Sequence, residues 1–225
     1  MRMMAVFEKS ERIRHIGHLD IQRSVQRGLR RSGLPVAYSG GFHPHILISF
    51  ASALSTGAAG KREIMDVTLA EPVTPELFLE RMNQAMPLEL HLIEAKPLDD
   101  KAPAMMSLVR AAEYDLAIDG EEAAAQLTAA IPAALGQTEL TAMRKTKTKL
   151  EECNIRPLIH ALDGAGNHIH AVLTLTERES CKPGMLLEAL CRLAGQDNPP
   201  RMVITRLRLL GSDETGGFIP LENMV

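Results

Sequence analysis

The sequence predicts an α+β protein made of two tandem ferredoxin-like βαββαβ modules with antiparallel sheets. Three observations predict it. The chain has 225 residues, enough for two domains of about 100 each. Strand-like and helix-like patterns follow one another in the order β-α-β-β-α-β over residues 1–98, and the order recurs over 108–211. Between them, Pro97, Asp99, Asp100, Lys101, Ala102 and Pro103 make a linker-like stretch. The repeat is one of element order; the residues themselves do not repeat.

In the first module, residues 2–8 alternate as a strand. A helix is expected over 18–32, where Ile21, Val25, Gly28 and Leu29 form an apolar stripe at helical spacing. Gly33 stops it and Pro35 prevents continuation. Residues 35–39 and 46–54 read as strands around a glycine- and histidine-bearing loop, and 63–69 as another. Thr74-Pro75-Glu76 opens a helix over 75–85 with a capping residue and a proline in the first turn. Residues 88–95 close the module as a strand.

The second module runs through a strand at 113–118, an alanine-rich helix at 121–135 and an extended segment at 139–149. Strands at 155–162 and 168–175 flank the glycine-rich turn 163–167. A helix at 183–193 turns Leu186, Leu187, Leu190 and Leu193 inward, and a strand at 202–210 ends the module. Residues 212–225 read as a tail.

Composition narrows the class. A 45% apolar and 24% charged chain is ordinary for a soluble globular protein. Aromatics are 3% and Trp is absent, so aliphatic residues, Ala and the twelve Met must fill the cores. The net charge of −3 excludes a globally basic nucleic-acid binder. Locally the balance differs: residues 1–31 carry eight Arg and Lys against three acids. Cys153, Cys181 and Cys191 are widely spaced, with no zinc-knuckle or iron–sulfur pattern, so reduced cytoplasmic thiols and no cofactor in this chain are expected. No secretory leader and no membrane partner are expected, because no apolar run approaches the roughly 18 residues a span needs.

The candidate site centres on Tyr38 through Phe50, which contains Gly40, Gly41, Phe42, His43, Pro44 and His45. Glycines there permit positive φ and close backbone approach. His18 and Asp20 sit upstream at the mouth of the first helix. His18, His43 and His45 with Glu63 or Asp66 offer nitrogen and oxygen ligands, but imidazoles flanking Pro44 diverge, and no metal is assigned. His18 and His45 also make an acid–base pair conceivable, of the kind suited to RNA cleavage. No serine stands in a nucleophile elbow. Arg23, Arg27 and Arg30 fall on one helix face, and Lys145, Lys147 and Lys149 on one strand face. Such rows read two ways: as contacts to a phosphate backbone, or, for the lysines, as a solvated edge strand protected from aggregation.

The motifs Gly17-His18-Leu19-Asp20, Arg30-Arg31-Ser32-Gly33-Leu34-Pro35, Tyr38–Phe50, Leu54-Ser55-Thr56-Gly57 and Glu63-Ile64-Met65-Asp66 occur in that order. In these the chain resembles the radical SAM-associated accessory family, found beside or fused to cobalamin-binding radical SAM proteins. The resemblance covers most of residues 1–100, with weaker echoes at Asn154–Ile159 and Lys182–Leu190. Gly17 stands for the usual Ser, His43 for Asn, and Ile46-Leu47 for Pro-Lys, which removes a cation from the loop. The resemblance implies a radical SAM enzyme as partner and no reaction of the chain's own. The basic helix and the module order are also similar to RNA-binding proteins of CRISPR systems, at the level of fold only. The expectation is an accessory protein presenting a substrate such as structured RNA. The contact loop is His18, Asp20, Gly41, Phe42, His43 and His45, with the arginines and lysines holding phosphates. The alternatives are an RNA-processing or RNA-modifying enzyme using His18 and His45, and a docking module that binds no nucleic acid.

Overall fold

A computed structural model of the chain describes residues 1–145 and 149–225. They divide into two compact units, Met1–Val109 with Arg208–Val225, and Arg110–Leu207.

In the first unit, β1 (Arg2–Lys9) leads to α1 (His18–Arg31), followed by β2 (Ile48–Phe50) and β3 (Ala58–Thr68). α2 (Pro75–Ala85) and β4 (Leu92–Leu98) complete it. β1 pairs with β3 on one side and β4 on the other, and β2 pairs with β3, all antiparallel. The expected α+β class with antiparallel sheets is what the structure shows. Local chemistry explains the helix ends. Thr74 Oγ1 accepts the Leu77 N–H at 3.3 Å, with Pro75 in the first turn. α1 places Asp20 in its first turn and Arg30 and Arg31 in its last, each complementing the helix dipole.

One face of this sheet carries Met3, Ala5 and Phe7 of β1 and Met65 and Val67 of β3. They pack against Ile21, Val25 and Leu29 of α1 and Phe78 and Met82 of α2. Each such side chain contributes about 1.5–3 kcal/mol when taken out of water. A methyl group at Gly28 would overlap the Met86 sulfur, so glycine there lets the chain leaving α2 press against α1.

Three expectations about this unit change. Residues 35–39 form no strand but two single bridges, Val36 to Leu69 and Tyr38 to Ile46. Pro35 contributes no amide, and the loop that follows leaves room for only a narrow ribbon. The expected linker is instead held: the Arg2 guanidinium donates to the Ala102 carbonyl at 2.5 Å, a short helix α3 (Met105–Leu108) follows, and Met105 and Val109 are buried. Residues 212–225 are no loose tail. Beyond the end of β10 (Met202–Ser212), β11 (Phe218–Pro220) pairs back on it, and Leu221 is buried. Arg62 spans Glu222 at 2.6 Å and Glu94 at 2.7 Å, which fixes the last turn to the first unit.

The second unit contains β5 (Ala111–Ile118), α4 (Glu121–Gly136), β8 (Ile159–Ala165), β9 (His168–Thr174) and α5 (Pro183–Leu193). β9 lies between β5 and β8, antiparallel to both. Of the expected extended segment 139–149, Thr141–Lys145 forms β6, and 146–148 lie outside the described residues. β7 (Leu150–Asn154), a strand beyond that segment, pairs antiparallel with β6 as a separate two-stranded ribbon. Arg192 of α5 holds the ribbon by donating to the Thr141 carbonyl at 2.9 Å.

Candidate functional site

The loop before β2 is closed by its own side chains. Ser39 Oγ lies 2.8 Å from His45 Nδ1 and accepts the His45 backbone N–H at 3.1 Å. The Ser39 N–H donates to the His45 carbonyl at 2.9 Å, and the Leu47 N–H to Ala37. Between these anchors Gly41 takes φ +100°, a conformation an L side chain rarely adopts. Phe42 follows it and is fully exposed, at 102% of its reference area. An apolar ring so placed contributes nothing to the core. Sequence reading names Gly41, Phe42, His43 and His45 as loop residues, and the structure places them together there. His43 is exposed at the tip, whereas His45 is committed to the Ser39 clamp.

Arg23, Arg27 and Arg30 are all exposed on α1. Arg23 is partly neutralised by Asp20 at 3.0 Å, and Arg27 donates to Ser24 at 3.3 Å. Asp20 therefore belongs to the helix face and not to the loop. Arg31, beside them, donates to the Ala85 carbonyl at 2.5 Å and anchors α1 to α2.

His18 opens α1 and sets its ring edge-on to Phe50, centroids 5.1 Å apart. It lines a small cavity of about 10 Å³ with Phe7, Lys9, Phe50, Ser52 and Glu63. That is room for about one water molecule. Two buried charges face it. Lys9 is 2% exposed, with Nζ donating to the carbonyls of Arg14 at 2.9 Å and Ile16 at 3.0 Å. Glu63 is 3% exposed, and its side chain lies against Gly60 so closely that a methyl there would overlap the carboxylate. Sequence reading counts Lys9 only toward the local basic balance. It ends an alternating strand like any surface lysine, and nothing local signals its burial.

The two histidines of the acid–base alternative thus have different neighbours, His18 the Phe50 ring and His45 the Ser39 hydroxyl. Among the described residues no three His, Cys, Asp or Glu side chains form a group that could hold a metal ion. Of the lysine row, Lys145 ends β6 and Lys149 precedes β7. Lys147 and the Lys145 side chain lie outside the described residues. No helix among the described residues is long and apolar enough to cross a membrane.

Fold and loop together define an α+β protein of two units whose first unit presents a clamped loop and a basic helix. Residues 2–183 match the family described as an uncharacterized protein conserved in bacteria (DUF2344), and the chain belongs to that family. No curated protein matches it.

Proposed function

We propose that this chain is an accessory protein that holds a substrate, structured RNA, for a separately encoded radical SAM enzyme. The observation that carries the reading is Phe42, a fully exposed ring at the tip of a loop closed by Ser39 and His45. A ring projected in this way is open to stack on an unpaired base. The exposed arginines of α1 support the reading as point charges for phosphates, with Arg30 free of partners among the described residues. The radical SAM partner rests on the motif resemblance at residues 17–66.

The test is RNA recovered with the purified chain, rebound at a series of salt concentrations. Affinity is expected to fall steeply with salt, and Arg27→Ala with Arg30→Ala to reduce the slope by roughly two. A slope indifferent to both changes, or a chain that recovers no RNA, overturns the reading.

A second reading is a module that docks the radical SAM enzyme and binds no nucleic acid. It is favoured by further exposed apolar side chains of this unit, among them Ile16, Leu19 and Tyr38, with Leu19 63% exposed. Nuclease-resistant co-purification with such an enzyme, lost in Phe42→Ala, would establish it.

A further inference from the structure

Away from the loop and the basic helix, the densest group of titratable side chains lies on the sheet of the second unit. His170 of β9 stands opposite Asp115 on β5 and Asp163 on β8. Its Nε2 is 2.8 Å from Glu113 Oε1, and its Nδ1 is 3.2 Å from Asp163 Oδ2. Two residues along the same face, His168 Nδ1 lies 2.9 and 3.0 Å from the two oxygens of Asp115. The opposite face of β5 and β9 is apolar, with Tyr114, Leu116, Ile169 and Ala171 buried. The groups that face His170 are therefore Glu113 and Asp115 from β5 and Asp163 from β8, with His168 on its own strand.

This arrangement settles the protonation state it needs. A neutral imidazole has one N–H and one bare nitrogen, whereas the imidazolium donates from both. Carboxylates carry only acceptors at this pH, and His170 has one at each ring nitrogen. Only the imidazolium bonds both. Loss of the proton leaves one carboxylate against a nitrogen lone pair.

We propose that His170, held between Glu113 and Asp163, is a proton-operated latch that fastens β8, the last strand in the order β5-β9-β8, to its neighbours. Neither the family assignment nor the binding role proposed for the first unit requires it. Burial opposes protonation of His170 and is the largest single influence. The hydrogen bonds and charges of Glu113 and Asp163 together outweigh it and raise the pKa above the ordinary 6.5. The direction of the switch follows. The stabilisation is complete below the unfolded value and is lost as pH rises through the folded one, so the latch opens as pH rises above the ordinary imidazole range.

The experiment is amide exchange of the full chain at pH 6 and pH 9, corrected for intrinsic rates, with an imidazole titration by NMR. Protection of Ile159–Ala165 is expected to fall about tenfold relative to Ala111–Ile118, as for one charge-assisted hydrogen bond. His170→Gln is expected to make β8 protection independent of pH. Asp163→Asn, which removes only the β8 side of the clamp, serves if His170→Gln fails to fold, and is expected to do the same. A wild-type β8 whose relative protection does not change with pH, a change retained in the variant that folds, or a His170 already neutral at pH 6 overturns the proposal.

Discussion

Ser39 and His45 hold each other twice, once ring to hydroxyl at 2.8 Å and once hydroxyl to backbone N–H at 3.1 Å. The five residues between them contain Gly41 and the fully exposed Phe42. The clamp converts a glycine-rich segment, whose conformational entropy would otherwise be large, into a defined projection. What the loop presents is therefore decided by Ser39 as much as by Phe42.

Ser39→Ala is expected to separate presentation from folding. It removes both side-chain bonds at an exposed position, a loss of about 1 kcal/mol in stability. Binding of whatever the loop contacts should weaken by more, because the order of the loop must then be established on binding. Denaturant unfolding and RNA binding on the same variant check this. Equal losses in both would show that the clamp serves only the fold.

Lys9→Met should be severely destabilising although it substitutes one long side chain for another. It leaves the Ile16 carbonyl without its Lys9 donor and the Arg14 carbonyl with only the Gly57 N–H, at a cost of about 1–3 kcal/mol, and removes a buried cation from beside buried Glu63. The midpoint of urea unfolding should fall with no change in the slope. An unchanged midpoint would mean that Lys9 adds nothing net.

Gly60→Ala tests the close approach of Glu63. A methyl at residue 60 would overlap the Glu63 carboxyl inside the core of the first unit, and a loss of about 1–3 kcal/mol is expected. Gly40→Ala, where the added methyl meets nothing within 4 Å, is the control. Thermal unfolding of the two variants should differ clearly.

The cysteines should react unequally. Burial, with the neighbouring Cys153, pushes the Cys181 thiol up to about 12, and burial raises Cys191 as well. At pH 8 only about one Cys181 in ten thousand is thiolate, the nucleophilic form. Iodoacetamide followed by mass spectrometry should find Cys153, the least buried of the three, modified first and Cys181 last. Early loss of the Cys181 thiol would contradict the packing described.

Two histidines of the second unit should titrate on opposite sides of 6.5. Burial lowers the pKa of His160, whose Nε2 lies 2.7 Å from Thr174 Oγ1, whereas the two carboxylates raise that of His170. As pH falls, His170 should gain its proton before His160 in an NMR titration. For His160 the sign is the reverse of the latch: its contribution is present above 6.5 and is lost as pH falls through the lower folded value. The reverse order of titration would show that the Glu113 and Asp163 contacts do not hold in solution.

Much of the fold was legible because its signals are local. The helices expected at 18–32, 75–85, 121–135 and 183–193 come within a residue of α1, α2, α4 and α5. Caps, prolines and an apolar stripe are set within a turn or two of chain. Gly33, with φ +69°, ends α1 as its position after the stripe predicts. The contact loop was legible for the same reason, since a Gly-Gly-Phe-His-Pro-His run has few conformations that hide it. The strand β7 was not, because whether a segment after a strand pairs back on it depends on what the two pack against.

By itself, the sequence determined the α+β class, the places of the helices α1, α2, α4 and α5, the glycine- and histidine-bearing loop and the exposed arginines of α1. Only the tertiary structure decided which side chains meet. It buried Lys9 beside Glu63, brought Arg62 to Glu222 across 160 residues, and set His170 between carboxylates from two other strands. Secondary structure answers to the dihedral preferences and hydrogen bonds of neighbouring residues. The partners of a charged side chain answer to desolvation and to strand register, which exist only once distant segments have closed on one another.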